Sequence, residues 1–408
     1  MNKYLFLLDE LPPTKSANGI CVERVIAYLQ NTGDVYCVSW NTEKINNDKV
    51  YFYQIKKKKW ARKVEYLKAN TTLLGKMIFL IARCMYKLKR IFMLPIWPVD
   101  AYSTVNDFYS LACDLINKEN ITHVIAVSYP GETLLAMKKL KKKYGKKIQT
   151  IMYPLDVTLE GMYEGTTIEK YVSKKCGRKF LIKCGEFADK IIVLENVEHL
   201  YKQYFPNDLQ KRFKVCGIPM IEESNYLKNN KRIENSKISC VFGGNLFYDL
   251  RNPTPLLDML EKQNKEIIFD IYGCADSRLW KEWENRYKNI KIVDHGWVSQ
   301  DILNDAIEKT DILINIGNAE EHLIPSKLFK YMSVKKPILH QKVAINDPCV
   351  PYLEKYNGAF IFDTTIKVDE EKFDLDIFLK KDINTKSISQ LFPRCTPQYT
   401  ASIINESV

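Results

Sequence analysis

Two short segments of the chain carry residue types that bind anions. In CVFGGNLFYDLRNP, residues 240–253, the paired Gly243 and Gly244 are followed by Arg251. Two glycines let the backbone approach an anion closely, and the planar guanidinium group of arginine suits bidentate contact with a phosphate. The alternative interpretation of the glycines is an ordinary turn between a strand and a helix.

The second segment, PSKLFKYM at residues 325–332, has the pattern of a helix start. Proline is favoured in the first helical turn, where its missing N–H costs nothing. The next amides are free, the helix dipole adds about half a positive charge there, and Lys327 adds a full one. Such a site favours a phosphate. The alternative is that Ser326 only caps the helix and Lys327 is solvated.

Short β-branched runs alternate with longer helical patterns along the whole chain, which predicts parallel sheets with crossover helices. The predicted strands are 4–9, 35–40, 123–128, 148–153 and 190–195, and then 238–243, 267–273, 290–296, 311–317, 337–341 and 359–363. A polar stretch without periodicity separates the two series. We therefore predict an α/β protein with two doubly wound domains facing a cleft. Their bounds are 1–220 and 238–385, with a linker at 221–237.

The two anion-binding segments follow the first and the fourth strands of the second series. Ligands of open parallel sheets sit beyond the carboxyl ends of the strands. Both segments are thus expected to converge on one edge of one sheet. Two phosphate-binding loops at the same edge favour a diphosphate.

Composition narrows the possible compartments. Eleven cysteines are present and none has Cys-x-x-Cys spacing, so we expect reduced thiols in the cytosol and no zinc site. The start MNKYLFLLDELPP has a run of five apolar residues before Asp9, too short for a signal peptide. No uncharged apolar run approaches the roughly 20 residues of a membrane-spanning helix, and we expect no such helix.

Residues 56–90 hold most of the net charge. The window contains twelve lysines and arginines and one acid, Glu65, so it carries +11 of the chain's net charge of +12. Apolar residues at 74, 77, 78, 81, 85 and 88 follow helical spacing. A basic amphipathic helix in residues 56–92 would suit an anionic membrane surface. The alternative is a core-packed helix with a solvated basic face. Nucleic acid is not expected, because no binding module accompanies the charge.

Four segments in the second half of the chain together resemble a known protein family. GGNLFYDLRNPTPLLDML, DIYG, VDHGWVSQDILNDAIEKTDILINI and PSKLFKYMSVKKPIL occur in that order. They resemble the carboxyl-terminal donor domain of family 4 (group 1) glycosyltransferases, which have the GT-B fold. The amino-terminal half is similar to the family's acceptor domain more loosely. The resemblance implies that 386–408 forms a helix that crosses back to the first domain.

The resemblance also implies site residues. The diphosphate of a nucleotide sugar would lie on Gly244, Arg251, Ser326 and Lys327, and its base and ribose near Tyr272 and Trp297. The whole donor-binding set expected is Gly19, Gly243, Gly244, Asn245, Gly273, Trp297, Val298, Pro325, Ser326, Lys327, Leu328 and Lys330. The catalytic set is Asp156, Arg251 and Lys327. Asp156 and Glu160 follow a strand and could contact a sugar, although a carboxylate there could also cap the next helix.

One feature departs from the family pattern. The family carries two glutamates eight residues apart, where this chain has His322 and Lys330. Neither a lysine nor a cationic histidine accepts the hydroxyl hydrogen bonds that a carboxylate would. Glu320 or Glu321 could substitute, Lys330 could touch phosphate or sugar, or donor binding could be weakened.

The expected function is therefore a glycosyltransferase of hexosyltransferase type. It would move a sugar, with retention and without a metal or cofactor, from a nucleotide-diphosphate sugar to a lipid-linked saccharide. That acceptor implies cell-surface polysaccharide synthesis at the inner face of the cell membrane. One alternative is a non-catalytic GT-B subunit that supports a partner enzyme at the membrane. Another is a GT-B epimerase that acts on a free nucleotide sugar.

Overall fold

The strands form two separate parallel sheets. The computed structural model describes residues 2–11, 16–40, 49–55, 73–155, 158–162, 166–223, 237–366, 373–381, 383 and 387–406. The chain divides into two compact units, of which unit 1 comprises 1–219 and 397–408 and unit 2 comprises 220–396. The predicted α/β class with two doubly wound domains is confirmed. Residues 224–236 of the predicted linker lie outside the described residues.

Unit 1 contains a seven-stranded sheet in the order β3-β2-β1-β4-β5-β6-β7. Its strands are β1 (Asn2–Leu7), β2 (Gly33–Ser39), β3 (Val50–Gln54), β4 (His123–Ser128), β5 (Gln149–Pro154), β6 (Lys190–Leu194) and β7 (Phe213–Cys216). Its helices are α1 (Ala17–Leu29), α2 (Leu73–Met93), α3 (Tyr102–Glu119), α4 (Gly131–Tyr144), α5 (Thr167–Gly185), α6 (Glu198–Tyr204), α7 (Asn207–Gln210) and, from the end of the chain, α15 (Pro397–Asn405). The central strands are buried on both faces, as a sheet covered by helices requires.

Unit 2 contains a six-stranded sheet in the order β10-β9-β8-β11-β12-β13. Its strands are β8 (Ile238–Gly243), β9 (Ile267–Tyr272), β10 (Ile290–Gly296), β11 (Ile312–Ile316), β12 (Ile338–Lys342) and β13 (Ala359–Asp363). Its helices are α8 (Thr254–Glu261), α9 (Ser277–Trp283), α10 (Gln300–Lys309), α11 (Lys327–Ser333), α12 (Val350–Tyr356), α13 (Leu375–Lys380) and α14 (Ile388–Leu391). The chain joins unit 1 again at Pro397, so residues 388–396 belong to unit 2.

The described helices include no segment long and apolar enough to cross a bilayer.

Candidate functional site

The strand order of unit 2 reverses between β8 and β11. These two strands are neighbours in the sheet, although three helices and two strands separate them in the sequence. The loops that leave their carboxyl ends therefore diverge and open a crevice, which is where open α/β sheets bind ligands. Gly244 follows β8 and Gly317 follows β11. The anion-binding segments predicted from the sequence both start at this switch point.

The loops after β8 and β9 are in direct backbone contact. Gly244 donates its amide to the carbonyl oxygen of Tyr272 at 2.8 Å, and a Cβ atom on Gly273 would lie 2.0 Å from the carbonyl oxygen of Gly244. Gly244 has φ of +150° and Gly273 has φ of +149°, conformations that side chains disfavour. Asn245 accepts a hydrogen bond from the amide of Cys274 at 3.3 Å. Only glycine fits at this close approach, which packs the two loops tightly together.

Lys327 lies beside the first glycine loop. Its Nζ is 3.0 Å from the position that a Cβ atom on Gly244 would take. Burial, together with the charge of Arg251, lowers the pKa of Lys327 to about 8. No carboxylate in the described part of the chain pairs with either cation. Two neighbouring positive charges without a counter-ion are unfavourable in a partly buried site, and a bound anion would relieve that cost.

Arg251 is held in place by a neutral partner. Its Nε donates to Oδ1 of Asn318 at 2.8 Å, and its Nη2 donates to the same oxygen. Asn318 is fixed in turn, because its Nδ2 donates to the carbonyl oxygen of Leu323 at 2.7 Å. Burial lowers the pKa of Arg251, yet an arginine remains charged in proteins. The amide side chain orients the guanidinium group without neutralising it.

Helix α11 begins at Lys327. The sequence predicted its start at Pro325, two residues earlier. The amide of Leu328 donates to the carbonyl oxygen of Pro325 at 3.0 Å, and the Leu328 side chain is buried. Ser326 makes no side-chain cap. Among the described residues, the Ser326 and Lys327 amides have no protein acceptor. The helix has only seven residues, so the lysine and not the dipole is the main positive charge here.

An aromatic group lies at the carboxyl ends of β9 and β10. The rings of Tyr272 and His295 stack with their centroids 4.3 Å apart, and Nε2 of His295 lies 2.6 Å from Oδ1 of Asp270. Trp297 follows β10 with 49% of its surface exposed, and Val298 is half-buried. About half of the Trp297 surface is thus exposed at this edge, and an exposed indole face is a surface on which planar ligands stack.

Other predicted residues belong to unit 1. Gly19 lies at the start of α1 in unit 1, where a Cβ atom would be 2.1 Å from the carbonyl oxygen of Glu10. Asp156 lies outside the described residues. Glu160 accepts hydrogen bonds from Lys174 and Arg178, the second at 3.1 Å, so its charge is compensated within unit 1.

His322 and Lys330, the residues at the positions where the resemblance implies glutamates, lie before and on α11. Lys330 is half-buried on α11, and His322 is in the loop before it. Glu320 and Glu321 are both exposed, and Glu321 accepts a hydrogen bond from Asn346 at 3.2 Å.

The sequence analysis missed two residues of the site. Asn318 is the residue that orients Arg251, and its only signal is that it is the first polar side chain after a buried strand. Tyr331 lies on α11 and accepts the amide hydrogen of Gly243 at 2.9 Å, which ties the helix to the end of β8. A tyrosine on a buried helical face gives no sequence signal for such a bond.

Several solved structures resemble this chain over nearly its whole length. A glycosyltransferase from Rickettsia africae ESF-5 has a TM-score of 0.58 at 11% identity, covering 100% of this chain and 99% of that one. The lipopolysaccharide outer core galactosyltransferase WaaB in its apo form has a TM-score of 0.57 at 12% identity, with 99% and 98% covered. The fold is GT-B. The same GT-B fold occurs in Anabaena Alr3699/HepE in complex with UDP-glucose, with a TM-score of 0.53 at 12% identity and 98% and 95% covered.

No protein-family model matches the chain, and no curated protein matches it. At 11–12% identity these likenesses establish the GT-B fold alone. A GT-B fold accommodates more than one activity, so the function has to be argued from the residues of the site.

Proposed function

We propose that the protein is a glycosyltransferase that takes its sugar from a nucleotide-diphosphate sugar. The observation that carries this proposal is the pair of Lys327 and Arg251. The two cations interact with each other, neither has a carboxylate partner among the described residues, and the Lys327 ammonium lies beside Gly244. A diphosphate offers the matching charge, and the UDP-glucose in the complex of Alr3699/HepE contains such a group on the same fold. The exposed ring of Trp297 is proposed to contact the base or the ribose.

The chemistry follows from where charge develops. The acceptor hydroxyl oxygen forms a bond to C1 of the sugar, the bond from C1 to the phosphate oxygen breaks, and the hydroxyl proton passes to a phosphate oxygen. Negative charge grows on the leaving diphosphate, where Lys327 and Arg251 would stabilise it. Retention at C1, transfer of a hexose and independence from metal ions are further parts of the proposal and rest on the family resemblance.

A nucleotide titration tests the donor site. The full-length protein is titrated calorimetrically with UDP, GDP, ADP and the corresponding monophosphates. We expect one diphosphate to bind best, and Lys327→Met or Arg251→Gln to weaken it at least about tenfold, the worth of one hydrogen bond between charged groups. Lys309→Met and Arg286→Gln are matched controls in unit 2, because both cations are partly exposed and pair with Asp305 and Asp258. No binding of any diphosphate would refute the proposal and favour a non-catalytic subunit.

We further propose that the acceptor is a saccharide linked to a membrane lipid. Helix α2 supports this part, because seven of the twenty exposed large hydrophobic side chains among the described residues lie on it. They are Met77, Ile78, Leu80, Ile81, Met85, Ile91 and Phe92. Met77, Ile81 and Met85 recur every four residues and Met85 and Phe92 are seven apart, so they share one face.

Charge supports the same partner. Lys76 and Lys89 are exposed on α2, and the basic run before this helix, at 56–68, lies outside the described residues. Each basic side chain near anionic headgroups contributes about 1 kcal/mol, and each fully buried Leu or Ile side chain about 1.5–3 kcal/mol. Several of each on one helix would hold the protein at the cytoplasmic face of the membrane.

Vesicle sedimentation tests the membrane part. We expect the protein to bind vesicles that contain phosphatidylglycerol, to bind pure phosphatidylcholine more weakly, and to lose affinity as salt rises. Leu80→Glu should reduce binding at least about tenfold. Ile168→Glu is the control, because Ile168 is exposed on α5 of the same unit. Equal loss in both variants, or no vesicle binding by the wild type, would refute the membrane surface and leave the donor site untouched.

A further inference from the structure

A layer of buried polar side chains lies beneath the anion-binding crevice of unit 2. Asn315 is on β11, His340 is on β12, and Asp347 and Cys349 precede α12; all four are buried. Asn315 Nδ2 lies 2.8 Å from His340 Nδ1, and His340 Nε2 lies 3.1 Å from Asp347 Oδ2. The other carboxylate oxygen, Oδ1, accepts the amide hydrogen of Cys349 at 2.8 Å. The network thus joins the ends of two adjacent strands.

These residues have the donor types of a zinc site. The ligand atoms of His340, Asp347 and Cys349 lie within 4.8 Å of one another. Both ring nitrogens of His340 and both oxygens of Asp347 already have partners in the protein. Burial also raises the pKa of the Cys349 thiol well above its ordinary value, which opposes the thiolate that a metal requires. The geometry is that of a complete hydrogen-bonded network, and it favours a structural role in the site.

The network reaches the anion site through Gly317. A Cβ atom on Gly317 would lie 2.1 Å from Oδ2 of Asp347, so the carboxylate packs directly against this glycine. The amide of Gly317 donates to the carbonyl oxygen of Gln341 at 2.9 Å. The next residue is Asn318, whose Oδ1 holds Arg251. The position of the carboxylate therefore limits where the Asn318 side chain can be.

A second connection starts from the strand that carries His340. Gln341 Nε2 donates to the carbonyl oxygen of Asn252 at 2.8 Å, and Asn252 is the residue after Arg251. The buried layer is therefore connected to Arg251 in two ways, through the Asn318 side chain and through the backbone of the adjacent Asn252.

We propose that the buried His340–Asp347 pair positions Asn318 and Arg251 for contact with a diphosphate. These two residues act through others and touch no ligand themselves. The inference rests on the proposed donor site and adds two positioning residues to it. Hydrogen bonds from His340 and from the Cys349 amide outweigh burial and keep the pKa of Asp347 below its ordinary value, so the pair contains a carboxylate at neutral pH.

The test uses the full-length protein and the nucleoside diphosphate, among UDP, GDP and ADP, that the wild type binds most tightly. Asp347→Asn keeps the size of the side chain and removes its charge. The matched control is Asp311→Asn, because Asp311 accepts two hydrogen bonds from Ser239 at the amino end of β11 in the same unit. We expect Asp347→Asn to weaken binding about tenfold, and Asp311→Asn to change it less than about twofold.

A double-mutant cycle separates positioning from general loosening of the unit. In an Asn318→Ala background, where the connection to Arg251 is already cut, Asp347→Asn should change the dissociation constant less than about twofold. His340→Gln retains an N–H donor for Asp347 and should bind more tightly than His340→Leu. The two His340 variants test the positioning role even if Asp347→Asn does not fold.

The outcomes distinguish this inference from the function on which it rests. If the wild type binds a diphosphate and Asp347→Asn binds equally well, the positioning role is refuted while the donor site stands. An equal loss from Asp347→Asn with and without Asn318→Ala, or equal binding by both His340 variants, refutes it too. If the wild type binds no diphosphate, the donor site itself is refuted and the inference falls with it.

Discussion

The pairing of Lys327 with Arg251 costs the empty protein free energy. Both cations are partly buried, neither has a carboxylate partner among the described residues, and their repulsion contributes to the lowered pKa of Lys327. A site under this strain gains more from an anion than a solvated lysine would, because the ligand removes both the repulsion and part of the desolvation cost. This pair of cations leads to two predictions.

The first concerns the pH dependence of nucleotide binding. The pKa of Lys327 is about 8 in the free protein, and a bound diphosphate favours the ammonium form, so binding takes up a proton above pH 8. We expect affinity to be nearly constant below pH 7 and to fall by up to about tenfold per pH unit above 8. Calorimetric titrations from pH 6.5 to 9.5 measure this, and Lys327→Met should abolish the slope. A wild-type slope equal to that of the variant would contradict the prediction.

The second concerns stability without ligand. The pKa of Lys327 in the folded protein, about 8, lies below its ordinary value near 10.5, so the unfolded chain binds more protons between these values. The unfavourable contribution of Lys327 is therefore fully present below pH 8 and is lost as pH rises toward 10.5. Lys327→Met should raise the melting temperature at pH 7 and raise it less at pH 9.5. Scanning calorimetry measures both, and a lower melting temperature at pH 7 would contradict the assignment of strain.

At the scale of elements, the site depends on the contact between the loops after β8 and β9. Gly273→Ala would place a methyl group 2.0 Å from the carbonyl oxygen of Gly244 at a φ of +149°. Gly296→Ala is a matched control, because it also has positive φ, +62°, but has open space around it. We expect the control to lose about 1–2 kcal/mol from backbone strain alone, and Gly273→Ala to lose more and to weaken diphosphate binding. Urea denaturation measures the stability of each variant, and a diphosphate titration measures its affinity. Equal losses of stability in the two variants would contradict the close approach of the two loops.

Most of the strands could be predicted from the sequence, because buried parallel strands read as short β-branched runs. Four of them, among them β4 and β8, have the predicted bounds. Two edge strands were not predicted, β3 (Val50–Gln54) and β7 (Phe213–Cys216). β3 lies just before the basic run and has only Val50 buried, and β7 has only Cys216 buried. The start of α11 was placed two residues early, because proline at a first turn marks a helix start only approximately.

Residues of the candidate site could be predicted only where one short segment of the sequence contains the whole anion-binding pattern. The sequence predicted Gly244, Arg251 and Lys327 as anion ligands, and the structure places Lys327 beside Gly244 and close enough to Arg251 for the two charges to interact. It gave no sign that Asn318 orients Arg251, or that His340 and Asp347 lie beneath them. Those contacts join residues on different strands, and their spacing in the sequence follows from loop lengths that no local pattern fixes.

For the whole molecule, one consequence of the topology is that unit 1 is completed by the end of the chain. Helix α15 buries Ile403 and Ile404 in this unit, far in sequence from the strands that it covers. Lys190 on β6 is buried and donates to the carbonyl oxygen of Ile403 at 2.8 Å and to that of Glu406. A cation at the carboxyl end of a helix satisfies carbonyl groups that the helix leaves open and opposes its dipole.

The corresponding prediction compares two lysines that reach the same helix end. Lys190→Met should release α15 and cost about 2–3 kcal/mol, because buried carbonyl groups lose a charged donor. Lys214→Met should cost less than about 1 kcal/mol, because the partner of Lys214 is the half-exposed carboxylate of Glu406 at 2.8 Å. Hydrogen exchange in α15, β1 and β6 measures the local effect, with unit 2 as an internal reference. If exchange in unit 1 is the same in both variants, Lys190 is not what holds the end of the chain on this unit.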